Sequence, residues 1–210
     1  HIKYLGLHFH IGSQILDMDA FKALCFKIND LQTQLEALGI VTENINVGGG
    51  LGINYEHPQE NDIPDFKSYF ETYSKNLILR EGQKVHFELG RSITAQCGSL
   101  IARVLYIKKG IKRKFMILDA GMTELLRPAL YGAHHQIENL SSSYDTTEVY
   151  DVVGPICESS DVFGRDVSVL RSDRGDLIAL RTAGAYGEVM ASQYNCRQLP
   201  TSYFSNDFHL

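Results

Sequence analysis

The sequence NVGGGLG, residues 46–52, places three consecutive glycines directly after the short apolar run INV. Glycine runs cost stability, because an unfolded glycine loses more conformational freedom on folding than any other residue. Two interpretations compete. The glycines form either a loose surface turn or a loop whose exposed backbone N–H groups meet an anion at close range.

Strands and helices alternate around these glycines in the first ninety or so residues. Runs of strand length occupy residues 2–9, 44–47 and 84–88. Between them, apolar residues at spacings of three and four predict two amphipathic helices, the first ending at Gly39 and the second beginning at Pro64. The alternation predicts parallel strands joined by crossover helices. The two helical stripes are Phe21, Leu24, Cys25, Ile28, Leu31, Leu35, Leu38 and Phe66, Tyr69, Phe70, Tyr73, Leu77.

From about residue 93 the sequence changes to short runs rich in β-branched and aromatic residues. Turn formers such as FGRD and SDRGD separate these runs, and only residues 122–138 suggest a helical turn or two. The sequence predicts an α/β part, residues 1–92, followed by a mostly antiparallel all-β domain, residues 93–210. The β runs are LIARVLYI, KFMILDAG, TTEVYDVVG, DVSVL and DLIALRTAG.

Polar residues follow each of the three predicted parallel strands. His10 and Ser13 follow the first, the glycines follow the second, and Glu88 and Arg91 follow the third. Ligands of parallel α/β folds bind beyond the carboxyl ends of the strands, so we expect a site there for a small ligand with an anionic tail. Plainer interpretations are a hydrogen-bonded core histidine, an ordinary turn and a structural Glu88–Arg91 ion pair.

The composition argues against several classes of function. A net charge of −5 without a basic stripe argues against a nucleic-acid partner, and no apolar run is long enough for a membrane span. The four cysteines form no CxxC pair, which favours a reducing cytosol over a zinc or disulfide framework. By itself, Cys157 is expected to be a small buried hydrophobic residue. Because the chain begins with His1, we expect it to be a piece of a longer protein.

Six motifs occur in the order found in the diaminopimelate decarboxylases, pyridoxal-phosphate enzymes related to ornithine decarboxylase. The chain resembles this family from end to end, and CESSD with LRPALY favours the diaminopimelate branch. One departure is Leu89, where the family usually has the proline of EPGR. The resemblance implies the C-terminal part of a (β/α)8 barrel followed by a β-barrel domain. The motifs are HFHIGSQ, VGGGLG, ELGRS, DAGMTELLRPALYGAHH, GPICESSD and AGAYGEVMASQYNCR.

The resemblance also implies roles for individual residues. Catalysis would depend on Cys157, Glu88 and His10, with Glu88 facing the pyridine nitrogen and Cys157 acting as an acid that reaches the cofactor of the partner subunit. A homodimer with shared sites follows. The implied pyridoxal 5'-phosphate ligands are His10, Ser13, Gly48, Gly49, Gly50, Glu88, Gly90, Arg91 and Tyr186. The implied substrate ligands are Arg91, Arg127, Tyr131, Glu158 and Tyr186.

The implied reaction is decarboxylation of meso-2,6-diaminopimelate to L-lysine, the last step of lysine biosynthesis, in the cytoplasm and without a metal. The family's Schiff-base lysine has no match here, because Lys3, Lys84 and Lys114 lie at the amino ends of predicted strands. We therefore expect it upstream of His1, and expect this chain to be inactive alone.

Three alternatives stay open. A metal-dependent hydrolase could use His8, His10, His86 and Glu88 as zinc ligands, because residues two apart on a strand share a face. A non-enzymatic homologue would keep the fold and bind a partner. A sister decarboxylase would act on ornithine, lysine or carboxynorspermidine.

Overall fold

The computed structural model describes residues 3–61 and 63–207. The chain divides into two compact units. The first unit comprises His1–Asn54 and Gln59–Thr94, and the second comprises Tyr55–Pro58 and Ala95–Leu210. No helix in the described part of the chain is both long and apolar enough to cross a membrane.

The first unit contains a three-stranded parallel sheet in the order β1-β2-β3. The strands are β1 (Gly6–His8), β2 (Asn44–Asn46) and β3 (Lys84–His86), and the helices are α1 (Met18–Ala37), α2 (Phe66–Asn76) and α3 (Gly90–Thr94). The register places His8, Asn46 and His86 side by side. The predicted parallel arrangement is therefore confirmed, although each strand is shorter than the run that predicted it.

Helix α1 buries the predicted stripe over most of its length, including Phe21 and Ile28, both 0% exposed. Gly39, with φ +73°, ends the helix as predicted because its left-handed backbone suits glycine. Two positions differ from the prediction. Leu38 is 75% exposed because the helix has already ended at Ala37, whereas polar Gln32 is buried and donates to the carbonyl of Ile78.

Helix α2 begins at Phe66, after an N-cap in which the Asp65 carboxylate accepts from the N–H of Ser68 at 2.9 Å. Tyr69 is fully buried and packs edge-on against Phe21, with ring centroids 4.9 Å apart. Phe70, on the predicted stripe, is 43% exposed, so this helix packs through a narrower face than predicted.

The second unit contains a six-stranded mixed sheet in the order β6-β9-β4-β5-β7-β8. Strands β5 and β7 are parallel and the other neighbouring pairs are antiparallel, which confirms the mostly antiparallel prediction. The edge strands β6 and β8 also contact each other, so the sheet is nearly closed. The strands are β4 (Leu100–Lys109), β5 (Lys114–Leu118), β6 (Ile137–Asn139), β7 (Thr147–Val153), β8 (Val162–Leu170) and β9 (Leu177–Leu180).

One local prediction in this unit is wrong, and another is confirmed but incomplete. The FGRD segment, residues 163–166, lies within β8 rather than between strands, because irregularities in the β7–β8 pairing and a positive φ of +52° at Asp166 accommodate it. Residues 122–138 contain one helical turn, α4 (Arg127–Tyr131), but they also lead into β6, which was not predicted. A strand of three residues is too short for the alternation of buried and exposed side chains to be recognised in the sequence.

Candidate functional site

The ends of the three parallel strands are joined by backbone contacts in the first unit. The N–H of Glu88 donates to the carbonyl of Gly48 at 2.8 Å. His10 also lies close to Gly48, because a Cβ placed there would be 3.2 Å from both the Cα and the Nδ1 of His10. The sequence-predicted residues that follow β1, β2 and β3 are thus brought together.

The three glycines allow this close approach. A Cβ at Gly48 would lie 2.2 Å from the carbonyl oxygen of Phe9, and a Cβ at Gly50 would lie 2.7 Å from that of Gly12. The φ values of +73° at Gly48 and +105° at Gly50 also favour glycine. Gly48 and Gly49 are buried, so a loose surface turn does not describe this segment.

Several hydrogen-bond donors occur in this loop and its neighbour. The N–H of Gly48 donates to the Asn46 side chain, while the N–H groups of Gly49 and Gly50 find no acceptor within residues 3–61 and 63–207. Arg91 Nη2 donates to Ser13 Oγ at 3.0 Å, next to the Gly12 carbonyl that Gly50 approaches. Backbone N–H groups, a hydroxyl and a guanidinium form a donor set suited to a phosphate.

Two side chains hold the Glu88 carboxylate from neighbouring strands. Asn46 Nδ2 donates to Glu88 Oε1 at 2.8 Å, and His8 Nε2 lies 3.4 Å from Glu88 Oε2. Asn46 was not among the predicted site residues, and His8 was considered only as a metal ligand. His8 lies two residues before His10, and Asn46 lies two residues before Gly48. Because residues two apart on a strand point to the same face of the sheet, the sequence could have indicated that both belong to the site. Among the described residues, no group of three or more His, Cys, Asp or Glu side chains could hold a metal.

In the second unit, Arg127 begins α4 and is only 5% exposed. Its Nη1 lies 2.9 Å from His135 Nε2, and His135 Nδ1 lies 2.9 Å from the carbonyl oxygen of Arg181. A carbonyl oxygen only accepts, so the proton resides on Nδ1, and Nε2 accepts from Arg127. The guanidinium also lies over the Tyr55 ring, 4.8 Å from its centroid. Arg127 is therefore held rigidly, by a histidine that was not predicted as a site residue.

The loop between β7 and β8 carries two more predicted site residues. Cys157 is exposed, so the expectation that it is a buried hydrophobic residue is wrong. Glu158 Oε1 accepts from Tyr194 at 2.5 Å, and this hydrogen bond raises the pKa of the Tyr194 hydroxyl.

Asp161 anchors the same loop from within the protein. It is 3% exposed and accepts from the N–H of Ile156 at 2.7 Å and of Met122 at 2.6 Å. Burial raises the pKa of Asp161, against the opposing effect of these two hydrogen bonds. The contacts fix the backbone immediately before Cys157 to the segment that follows β5.

The remaining predicted residues of the second unit are partly open to solvent. Tyr131, at the end of α4, is 66% exposed, and Tyr186 is 41% exposed. Tyr186 has φ +69°, a left-handed conformation that is rare for a bulky residue and is enriched at active sites. Gly90 begins α3 in the first unit, and a Cβ placed there would meet no heavy atom within 4 Å.

The chain is similar to several known proteins and solved structures. A diaminopimelate decarboxylase of Bacteroides thetaiotaomicron is 63% identical over 206 residues, which cover 98% of this chain and 53% of the relative. The structure of a Helicobacter pylori diaminopimelate decarboxylase in complex with L-lysine superposes with a TM-score of 0.81 at 41% identity, covering 91% of this chain and 46% of the other. A lysine/ornithine decarboxylase of Vibrio vulnificus in complex with putrescine, at 24% identity, has a TM-score of 0.83 over 97% of this chain and 55% of its own, and shows the fold alone.

The chain spans about half the length of the curated relatives that it matches. A family model described as pyridoxal-dependent decarboxylase, C-terminal sheet domain, matches residues 15–184, which include most of both units. The chain therefore belongs to the pyridoxal-dependent decarboxylases and has the fold of the C-terminal sheet domain of that family.

Proposed function

We propose that the whole protein to which this chain belongs catalyses the pyridoxal-phosphate-dependent decarboxylation of meso-2,6-diaminopimelate to L-lysine. The observation that carries the proposal is the 63% identity to a diaminopimelate decarboxylase over 98% of this chain. The reaction would be the last step of lysine biosynthesis, in the cytoplasm.

The first unit would be the last part of a (β/α)8 barrel, corresponding to the predicted residues 1–92, and the second unit the β-barrel domain of residues 93–210. The parallel strands β1, β2 and β3, connected through α1 and α2, support this assignment. Strands β1 and β3 are the outer strands of their sheet, and closure into a barrel would pair such edges.

The donors at the strand ends fit the phosphate of pyridoxal phosphate. The N–H groups of Gly49 and Gly50 would bind its oxygens, together with Ser13 and Arg91, and a side chain at either glycine would collide with neighbouring backbone. Tyr186 would be a further phosphate ligand, and His10 would contact the cofactor ring.

Glu88 would hold a proton on the pyridine nitrogen of the cofactor. When bound, the cofactor supplies a sink for the electron pair left at the α-carbon after CO2 departs, and protonation of the ring nitrogen strengthens that sink. An ionised carboxylate beside the nitrogen favours the protonated form of the ring. The bond from Asn46 and the contact with His8 keep the Glu88 carboxylate in place for this role.

The substrate would be oriented through its distal carboxylate and amino group. A guanidinium binds a carboxylate by two parallel hydrogen bonds, and the rigid position of Arg127 makes it suited to this task. Tyr131 and Glu158 would contribute from exposed positions, and Arg91 and Tyr186 complete the set.

Cys157 would return a proton after CO2 is lost. Its exposure on the loop anchored by Asp161 is consistent with a thiol that reaches the site of a partner subunit. The active form would accordingly be a homodimer with shared sites. The Schiff-base lysine would come from the part of the protein that this chain does not contain.

The experiment that tests the proposal is CO2 release by the full-length protein, with pyridoxal phosphate, from four candidate substrates. We expect CO2 and L-lysine in equal amounts from meso-diaminopimelate, and no CO2 from lysine, ornithine or carboxynorspermidine. Release from one of the other three would replace this assignment by a sister decarboxylase. Release from none of the four substrates would favour a non-catalytic homologue.

A further inference from the structure

The Asn46 side chain connects the glycine loop to Glu88. Its Oδ1 accepts from the N–H of Gly48 at 2.9 Å, and its Nδ2 donates to Glu88 Oε1 at 2.8 Å. Asn46 ends β2, and its register partners are His8 on β1 and His86 on β3. It therefore lies on the central strand of the sheet, at the level where all three strands end.

The N–H of Gly48 decides which way the Asn46 amide faces. A backbone N–H can only donate, so the amide oxygen must point to Gly48 and the amide nitrogen must point to Glu88. Since the nitrogen can only donate, the oxygen that it meets on Glu88 must accept, as an ionised carboxylate does. The second oxygen, Oε2, is left near His8 at 3.4 Å.

We propose that Asn46 is a positioning residue that fixes the orientation of the Glu88 carboxylate and couples it to the glycine loop. This inference rests on the proposed function, in which Glu88 faces the cofactor nitrogen and the glycines bind the phosphate. Asn46 itself touches neither the cofactor nor the substrate in this role. It sets the relative position of the two groups that do.

The chain supplies a matched control two residues earlier on the same strand face. Asn44 Oδ1 lies 2.9 Å from His86 Nε2, and its Nδ2 donates to the carbonyl of Leu5 at 2.9 Å. Asn44→Asp and Asn46→Asp each add one negative charge and remove one amide donor. They differ in the group left opposite the new oxygen, which is a neutral carbonyl at position 44 and a carboxylate at position 46.

The experiment compares four forms of the full-length protein: wild type, Asn44→Asp, Asn46→Asp and the double variant Asn46→Asp with Glu88→Gln. Thermal unfolding midpoint, pyridoxal-phosphate affinity, kcat and KM are measured at neutral pH. We expect Asn46→Asp to unfold at a lower temperature than Asn44→Asp, because two carboxylates then face each other. By analogy with the roughly 10- to 100-fold losses seen when residues that orient metal ligands are replaced, we expect its kcat to fall about 10- to 100-fold, with a smaller change in KM.

The double variant reverses the direction of the hydrogen bond. The amide at position 88 donates to the carboxylate at position 46, which still accepts from Gly48, so we expect the unfolding midpoint to return to near that of wild type. Turnover should stay low, because the carboxylate is then on the wrong strand for the ring nitrogen. The low turnover of the double variant reports the loss of the Glu88 carboxylate itself. The positioning role of Asn46 is therefore read from the fall in kcat, with little change in KM, of Asn46→Asp compared with Asn44→Asp.

Three results would overturn the inference: an Asn46→Asp variant as stable as Asn44→Asp, a double variant as unstable as Asn46→Asp, or full turnover in Asn46→Asp. The proposed function fails separately, if wild type binds no pyridoxal phosphate and releases no CO2. The unfolding midpoints of the four forms would still decide whether Asn46 and Glu88 are coupled.

Discussion

Replacement of Gly49 by alanine tests how closely the strand ends must approach each other. Of the three glycines, Gly49 best isolates the steric effect of a side chain, because its φ is not positive whereas the φ values of Gly48 and Gly50 are. Gly49→Ala therefore introduces a steric conflict without backbone strain. The added Cβ would lie 2.2 Å from the carbonyl oxygen and 3.1 Å from the carbonyl carbon of Glu88.

The size of the effect follows from these distances. To reach the 3.0–3.4 Å of a tight contact, the Glu88 carbonyl must move by about 1 Å, and it belongs to the backbone rather than to a flexible side chain. Overpacking of this kind costs about 1–3 kcal/mol in the free energy of unfolding. Each kcal/mol lowers the unfolding midpoint of a domain of 150–250 residues by about 2–4 °C. The displaced Glu88 should also weaken the binding of pyridoxal phosphate.

Thermal unfolding of the full-length protein, with and without pyridoxal phosphate, measures both effects. Gly90→Ala is the matched control for stability, because Gly90 lies two residues after Glu88, at the start of α3, and a Cβ there meets no heavy atom within 4 Å. We expect Gly90→Ala to unfold at or slightly above the wild-type temperature, and Gly49→Ala clearly below it. Equal midpoints for the two alanine variants would refute the close backbone contact at Gly49.

Three further predictions concern the second unit. His135→Phe removes the hydrogen-bond acceptor of the buried Arg127 guanidinium. We therefore expect a loss of about 1–3 kcal/mol in unfolding free energy and a raised KM for substrate. An unchanged KM would contradict the proposed role of Arg127 in binding the substrate carboxylate. Burial opposes ionisation of Asp151, but an N–H bond and the 2.8 Å contact with Arg113 outweigh it, so its pKa lies below the usual value. The stabilisation that ionised Asp151 gains from Arg113 is present above its unfolded pKa of about 3.9 and is lost as pH falls through its lower folded pKa. The loss of unfolding free energy caused by Arg113→Gln, measured by denaturant titration, should therefore shrink in acid. A loss that does not depend on pH would contradict this. In Asp161→Asn, the amide N–H group would face one of the two backbone N–H groups that now donate to the carboxylate. We expect the variant to lose about 1–3 kcal/mol in unfolding free energy and to change the rate of Cys157 alkylation. An unaltered alkylation rate would refute the anchoring of that loop.

Periodicity predicted the helices well and their ends less well. The stripe of α1 was recognisable because residues such as Phe21 and Ile28 repeat with the period of a helix, and Gly39 marks its end. Leu38 continues the same period but lies beyond the last helical residue, and Gln32 is buried through a bond to Ile78 that no local pattern encodes.

The supporting residues of the candidate site escaped prediction for a related reason. Asn46 and Glu88 are 42 positions apart, and only the register of two parallel strands brings their side chains within hydrogen-bonding distance. Asp161 and Met122 are 39 positions apart, and only the tertiary fold of the second unit brings the Asp161 carboxylate to the Met122 N–H. The positions of the motif residues could be predicted: Glu88 was expected at the end of a parallel strand beside the glycine loop, and it lies there. Its role in the site stays a prediction.

Decarboxylation by a full-length Glu88→Gln variant tests the central claim most directly. An amide at this position cannot stabilise a proton on the pyridine nitrogen as a carboxylate does, while the phosphate ligands are unchanged. We predict that the variant retains stoichiometric pyridoxal phosphate and that its kcat with meso-diaminopimelate falls by about 100-fold or more, the scale of a lost electrostatic contact in an active site. A turnover number equal to that of wild type would contradict the account.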